Sequence, residues 1–205
     1  MHDRFIEDFR SFVQAEALRD PDLETPFGRL IEGLGSVDPV NPDPGPTLPV
    51  VSEHLGAALD AASGTAGSLL TAVASGLSWV QPYSEHVGEP DMDALRAGYA
   101  YAPIVGALDD GPSPLWSSGA VFAGAVLQGP NVVYPSHVHK AVELYWVASG
   151  TARWQKGDEW STYGPGAFIF HDTGVRHATV TDDEPTLLLF AWVTDLASVP
   201  VIVRY

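Results

Sequence analysis

From about Gly119 to the C-terminus, short runs of β-branched and aromatic residues alternate with Gly, Pro and Asp turns. That is the pattern of successive short strands. The runs are Ala120–Leu127, Val132–Val138, Val142–Ala148, Thr151–Gln155, Gly166–Phe170, Ala178–Thr181, Thr186–Val193 and Val199–Arg204. Strands this short and evenly spaced suggest a sandwich or a jelly-roll barrel.

The preceding part reads differently. Phe5, Ile6, Phe9, Phe12, Val13 and Ala17 recur at helical spacing behind a capping Asp3, so the chain opens with an amphipathic helix. Pro39, Pro42, Pro44, Pro46 and Pro49 crowd the next interval, which is an extended connector because proline removes the backbone donor and fixes φ. An Ala- and Leu-rich helical stretch runs from Ser52 to about Leu77, interrupted near Gly64 and Gly67, and a shorter helix lies around Asp91 to Ala100. The expected division is a helical region over 1–115 packed on a β region over 116–205.

Composition narrows the chemistry. With 205 residues and 45% of them hydrophobic, the chain can bury one sizeable core. It has no cysteine, which removes disulfides, thiolate nucleophiles and Cys-ligated metals and leaves His, Asp, Glu or Tyr to hold any ion. Its net charge of −16 argues against a nucleic-acid partner, whose affinity comes largely from Lys and Arg, and suits a cationic ligand better. The N-terminus lacks the basic and apolar runs of a secretory signal, and no stretch is apolar enough to span a membrane. A soluble, cytoplasmic protein is expected.

The stretch richest in chemistry is Tyr134-Pro-Ser-His137-Val-His139-Lys-Ala-Val-Glu143-Leu-Tyr145. Alternation along a strand puts His137 and His139 on one face, and likewise Glu143 and Tyr145. A bend near Lys140-Ala141 would aim both pairs at one cavity. Two imidazoles and a carboxylate suit a divalent ion such as Zn, Fe, Mn, Co or Ni, and His177 is the best candidate for a further ligand. His171 beside Asp172 is expected to face solvent. His2, His54 and His86 have no ligand-like companions, and Asp182-Asp183-Glu184 reads as a solvated turn. Trp116, Trp146, Trp154, Trp160 and Trp192 fall in the β region, as cavity walls or as core.

Two motifs carry a family resemblance. Gly129, seven residues, His137-X-His139, three residues, Glu143, six residues and Gly150 follow G(X)5HXH(X)3-4E(X)6G apart from the first spacing. Gly166, five residues, Asp172-X-Gly174, two residues, His177, three residues and Thr181 follow G(X)5PXG(X)2H(X)3N, with Asp172 for Pro and Thr181 for Asn. In these motifs residues 119–205 resemble the cupins. The fold this implies is mainly β, a single cupin jelly-roll β-barrel with an N-terminal α-helical extension.

Tyr145 two residues after Glu143, Tyr134 just ahead of the histidines, and helices before a single barrel narrow the likeness further. In these features the chain resembles the cupin-type dimethylsulfoniopropionate lyases, which split that zwitterion into acrylate and dimethyl sulfide. The resemblance implies that His139, Glu143 and His177, with His137, hold one divalent transition metal, that Tyr145 is the metal-adjacent base, and that Tyr134 lines the pocket. The substrate would be a small zwitterionic sulfonium, and cupin strand edges allow a homodimer. A cupin Fe(II) dioxygenase and a non-catalytic small-acid-binding cupin are the alternatives.

Overall fold

A computed structural model describes residues 4–42, 45–108 and 111–204; the expected Asp3 cap, Pro44 and His2 lie outside them. In chain order the elements are helices α1 (Phe5–Arg19), α2 (Glu24–Leu34), α3 (Pro49–Asp60), α4 (Gly64–Val73) and α5 (Pro90–Gly98), with a two-residue strand β1 (Asp38–Pro39) between α2 and α3. There follow β2 (Tyr99–Gly106), β3 (Trp116–Ser117), β4 (Phe122–Gln128), β5 (Val133–Val138), β6 (Glu143–Ser149) and β7 (Ala152–Lys156). The last are β8 (Glu159–Tyr163), β9 (Phe168–His171), β10 (His177–Thr181), β11 (Thr186–Trp192) and β12 (Val201–Ile202). N-terminal helices thus precede two sheets, one ordered β1-β3-β2-β4-β11-β6-β9 and the other β12-β5-β10-β7-β8.

The large sheet is buried on both faces, which explains its nearly unbroken apolar runs. Along β6, Leu144, Trp146 and Ala148 join a cluster with Phe5, Phe9, Phe27 and Leu70 of the helices, while Tyr145 and Val147 point into a second cluster between the sheets. Strand β11 repeats the pattern, with Leu187, Leu189 and Ala191 toward the helices and Leu188 and Phe190 inward. Each such leucine adds about 1.5–3 kcal/mol through burial. The Trp146 indole also donates to Glu16 of α1 at 3.1 Å, and Arg19 holds the same carboxylate at 2.5 Å.

Besides the two-residue strands β1 and β3, three elements differ from the sequence expectations. Helix α2 was not anticipated, because its Gly28 and Gly33 dilute the helical pattern. Strand β2 takes the place of the end of the expected Asp91–Ala100 helix, pairs with β4 and so carries the large sheet back across the expected boundary at 115. Strand β8 has no counterpart among the expected strands because most of it is exposed and its sequence lacks an apolar face. Gly150 turns the chain out of β6 at φ +72°, where a Cβ would lie 2.0 Å from the Pro185 carbonyl oxygen. A side chain there would displace the turn.

Candidate metal centre and its cavity

Strand β5 carries Tyr134 and His137, whose odd spacing would place them on opposite faces of a regular strand. A register irregularity relative to β10 absorbs the extra residue: His137 pairs with His177 but Tyr134 pairs with Thr179. Both side chains therefore turn inward, and their rings stack at 4.0 Å and 9°. The chain then crosses from the small sheet to the large one through residues 139–142. This turn is pinned by the Gly174 amide on the His139 carbonyl, the Thr173 hydroxyl on the Lys140 carbonyl and the Val142 amide on Thr194 Oγ1, at 2.9, 2.7 and 2.9 Å. Glu143 emerges as the first residue of β6, between Trp192 on β11 and His171 on β9.

His137, His139, Glu143 and His177 consequently meet in one buried cluster. The Nδ1 atoms of the three rings contact the carbonyls of Pro135, Ala141 and Val175 at 2.9, 3.0 and 2.9 Å. A carbonyl only accepts, so each Nδ1 carries a proton, and Nε2 is the atom of each ring that can offer a lone pair to an ion. Those atoms converge: His139 Nε2 is 3.0 Å and His177 Nε2 3.4 Å from Glu143 Oε2, and the ligand atoms of His137, His139 and His177 lie within 4.8 Å of one another. His177 Nε2 is buried without a hydrogen-bond partner. Ring nitrogens and a carboxylate this close repel unless a proton or a metal cation lies among them, so this donor set fits a divalent ion that accepts nitrogen and oxygen.

The electrostatics follow from burial. In the ion-free cluster, burial pushes the Glu143 carboxyl up, but the hydrogen bond with the His139 ring and the nearby ring nitrogens of His171 and His177 outweigh it and hold the group well below the usual carboxylate range; a metal ion would take the place of the proton shared there. Burial and the neighbouring His177 hold His137 well below the ordinary imidazole value. Tyr145, two residues after Glu143, packs against Trp154 and Phe190 at 5.1 and 6.2 Å. Burial raises its phenol well above 10, and Glu143 adds to the shift.

Above this floor opens a cavity of about 320 Å³. Its walls include Tyr99, Tyr101, Phe122, Tyr134, Phe190 and Trp192, together with Glu85, Leu196, Ser198, Val199 and Pro200.

A model of the dimethylsulfoniopropionate lyase family matches residues 26–188. The chain belongs to that family. A protein of Cereibacter sphaeroides that carries the provisional name dimethylsulfoniopropionate lyase DddL is 31% identical over 180 residues, which cover 83% of this chain and 72% of the relative. Dimethylsulfoniopropionate lyase DddQ of Ruegeria pomeroyi is 35% identical over 88 residues, 42% of this chain and 44% of DddQ. The crystal structure of the latter superposes with a TM-score of 0.69 at 25% identity, covering 98% of this chain and 96% of that one.

All six residues singled out from the sequence, His137, His139, Glu143, His177, Tyr145 and Tyr134, are buried; five of them line the cavity, and His177 adjoins it through Glu143. His171 is a correction. It is 0% exposed rather than solvent-facing, because β9 alternates and turns Ile169 and His171 inward together. His54 on α3 and His86, bonded to Glu89 at 2.9 Å, stay outside the cluster, and Asp182 to Glu184 form an exposed turn. Tyr83 and Tyr99 were not anticipated. Both precede residue 115, Tyr99 opening strand β2, and Tyr83 meets Tyr134 hydroxyl to hydroxyl in a short hydrogen bond. The Tyr99-Ala-Tyr101 alternation was the available signal for Tyr99; Tyr83, at φ +62° after Pro82, carries none.

Proposed function

We propose that this chain is a metal-dependent carbon–sulfur lyase that splits dimethylsulfoniopropionate into acrylate and dimethyl sulfide by β-elimination. His137, His139, Glu143 and His177 would hold one divalent ion, and Tyr145 would be the base. When bound there, such an ion supplies positive charge that favours a neighbouring phenolate and, as a Lewis acid, stabilises charge on a carboxylate.

The residues of the chain do the rest. A phenol is already protonated at neutral pH, and burial and Glu143 raise Tyr145 further, so the base exists only where a cation favours its phenolate. The Tyr145 oxygen takes the proton from the carbon α to the carboxylate. The C–H pair becomes the new C=C bond, and the C–S pair leaves with sulfur as a neutral thioether. No acid is needed for that leaving group. Tyr83, Tyr99, Phe122 and Trp192 line the cavity, and aromatic faces attract a sulfonium by about 0.5–2 kcal/mol each. Glu85 also lines the cavity and would attract a sulfonium, and among the described lining residues there is no Lys or Arg.

The observation that carries this reading is the convergence of three imidazole Nε2 atoms and Glu143 beside Tyr145, on the floor of an aromatic cavity. The same reading takes the two sheets as a single closed jelly-roll barrel. It also takes the enzyme as cytoplasmic and able to form a homodimer through a strand edge. Among the described residues, no helix is long and apolar enough to cross a membrane.

The test is to incubate the protein with dimethylsulfoniopropionate and measure dimethyl sulfide in the headspace. Release should occur with metal and stop with a chelator. No release from metal-loaded protein would sink the proposal.

A further inference from the structure

We propose that His171 is a positioning residue for the metal centre: its Nδ1–H, fixed there by the Trp154 indole, donates to Glu143 Oε2 and holds that carboxylate in place. The proposal rests on reading Glu143 as a ligand, and it assigns His171 a role different from that of the three neighbouring imidazoles.

The tautomer follows from one contact. An indole N–H can only donate, and Trp154 Nε1 lies 3.1 Å from His171 Nε2. His171 Nε2 is therefore an acceptor and carries no proton. This excludes both the imidazolium and the Nε2–H form, and the single proton of the ring sits on Nδ1.

That N–H is buried with no hydrogen-bond partner. The acceptor facing it is Glu143 Oε2 at 3.6 Å, somewhat beyond a full hydrogen bond. An unpaired buried donor is costly, so the energetic pull on both groups is toward each other. His171 and Glu143 are direct cross-strand partners on β9 and β6, while Trp154 reaches the ring from β7 in the other sheet. The His171 ring thus bridges the two sheets.

The comparison with the other histidines is decisive. His137, His139 and His177 turn Nδ1 to backbone carbonyls and leave Nε2 facing the centre. His171 is reversed, with its lone pair directed away to an indole and its proton directed inward. Glu143, His171 and His177 lie close enough to form a ligand set by distance alone, but a protonated Nδ1 has no lone pair to give. Three histidines offer lone pairs and the fourth offers a proton.

The test uses the intact chain and zinc(II) alone. Long-range ¹H–¹⁵N spectra of ¹⁵N-labelled protein should show His171 protonated at Nδ1 and bare at Nε2, both before and after zinc. Zinc should shift the Nε2 signals of the other three rings much more. Zinc affinity, read by competition with a chromophoric chelator, should fall about 10–100-fold in His171→Phe. It should be largely restored in His171→Asn, whose side-chain amide places an N–H near the Nδ1 position. The proposal is overturned by an Nε2–H tautomer, or by a zinc-induced shift at His171 as large as at the other rings. It is equally overturned if His171→Phe binds zinc as the parent does, which would make the ring a space-filler, or if His171→Asn loses as much as His171→Phe. Should His171→Phe not fold, the spectra of the unsubstituted protein still decide. Failure of the metal reading itself would look different, because the parent chain would then bind no zinc.

Discussion

The indole Nε1–H of Trp192 donates to Glu143 Oε1 at 2.6 Å across the β11–β6 ladder, while the other carboxylate oxygen faces the rings of His139, His171 and His177. One oxygen is thereby anchored and the other aimed at the centre. Trp192 also lies over His139, with ring centroids 4.8 Å apart. Outer partners of this kind commonly change metal affinity 10–100-fold. Trp192→Phe keeps a ring against His139 but removes the donor. Elemental analysis after dialysis should therefore show metal occupancy well below that of the parent at equal free metal. Equal occupancy would show that Glu143 is oriented without the indole.

The metal-free chain should lose stability on mild acidification. Burial pushes His171 down to about 4 and holds His137 well below its ordinary value. The unfolded chain takes up these protons near 6.5 and the folded chain does so only at lower pH. Between those values the unfolded state binds more protons, so stability falls as pH falls. His171 alone corresponds to roughly 3 kcal/mol. The depressed Glu143 acts in the same direction, its contribution being lost as pH drops below the unfolded carboxylate value. Melting of the chelated protein should show Tm declining from about pH 6.5 downward. A Tm that stays flat until the carboxylate range would contradict these assignments.

Much of the centre was legible because its signals are local. The two histidines, Glu143 and Tyr145 fall within nine residues of chain, and strand alternation suffices to group them. His177 enters through a second local motif. What escaped notice depends on pairing between distant segments. Tyr99 reaches the cavity because β2 pairs with β4, and Tyr83 because its hydroxyl meets Tyr134, 51 residues away. His171 was misread from the polar Asp172-Thr173-Gly174 turn that follows it, although Ile169 and His171 already alternate. Tyr134 required an irregularity in β5 that no spacing rule foretells.

Helix α1 should be integral to folding rather than detachable. Phe9 is fully buried against Phe5 and Trp146, and Phe5 stacks on Trp116 at 5.1 Å. Phe9→Ala should cost about 3–5 kcal/mol in denaturant unfolding. Deleting the chain before Leu48 should cause aggregation, because it uncovers Trp146 and Trp116. A soluble, fully active fragment starting at residue 115 would contradict this.

Tyr145→Phe isolates the base. The ring and its packing on Trp154 remain, while the oxygen is lost. Turnover should fall by about 10²–10⁴-fold, metal content should stay near that of the parent, and substrate binding should be largely retained. Near-normal turnover with metal in place would move the base elsewhere, with Tyr134 the next candidate.

The most direct measurement is the stoichiometry of products under strict exclusion of oxygen. Metal-loaded protein is sealed with dimethylsulfoniopropionate, dimethyl sulfide is measured in the headspace and acrylate in solution. The β-elimination account predicts the two in equal amounts, formed without oxygen and abolished by a chelator. Products that form only when oxygen is admitted, or dimethyl sulfide without matching acrylate, would contradict it.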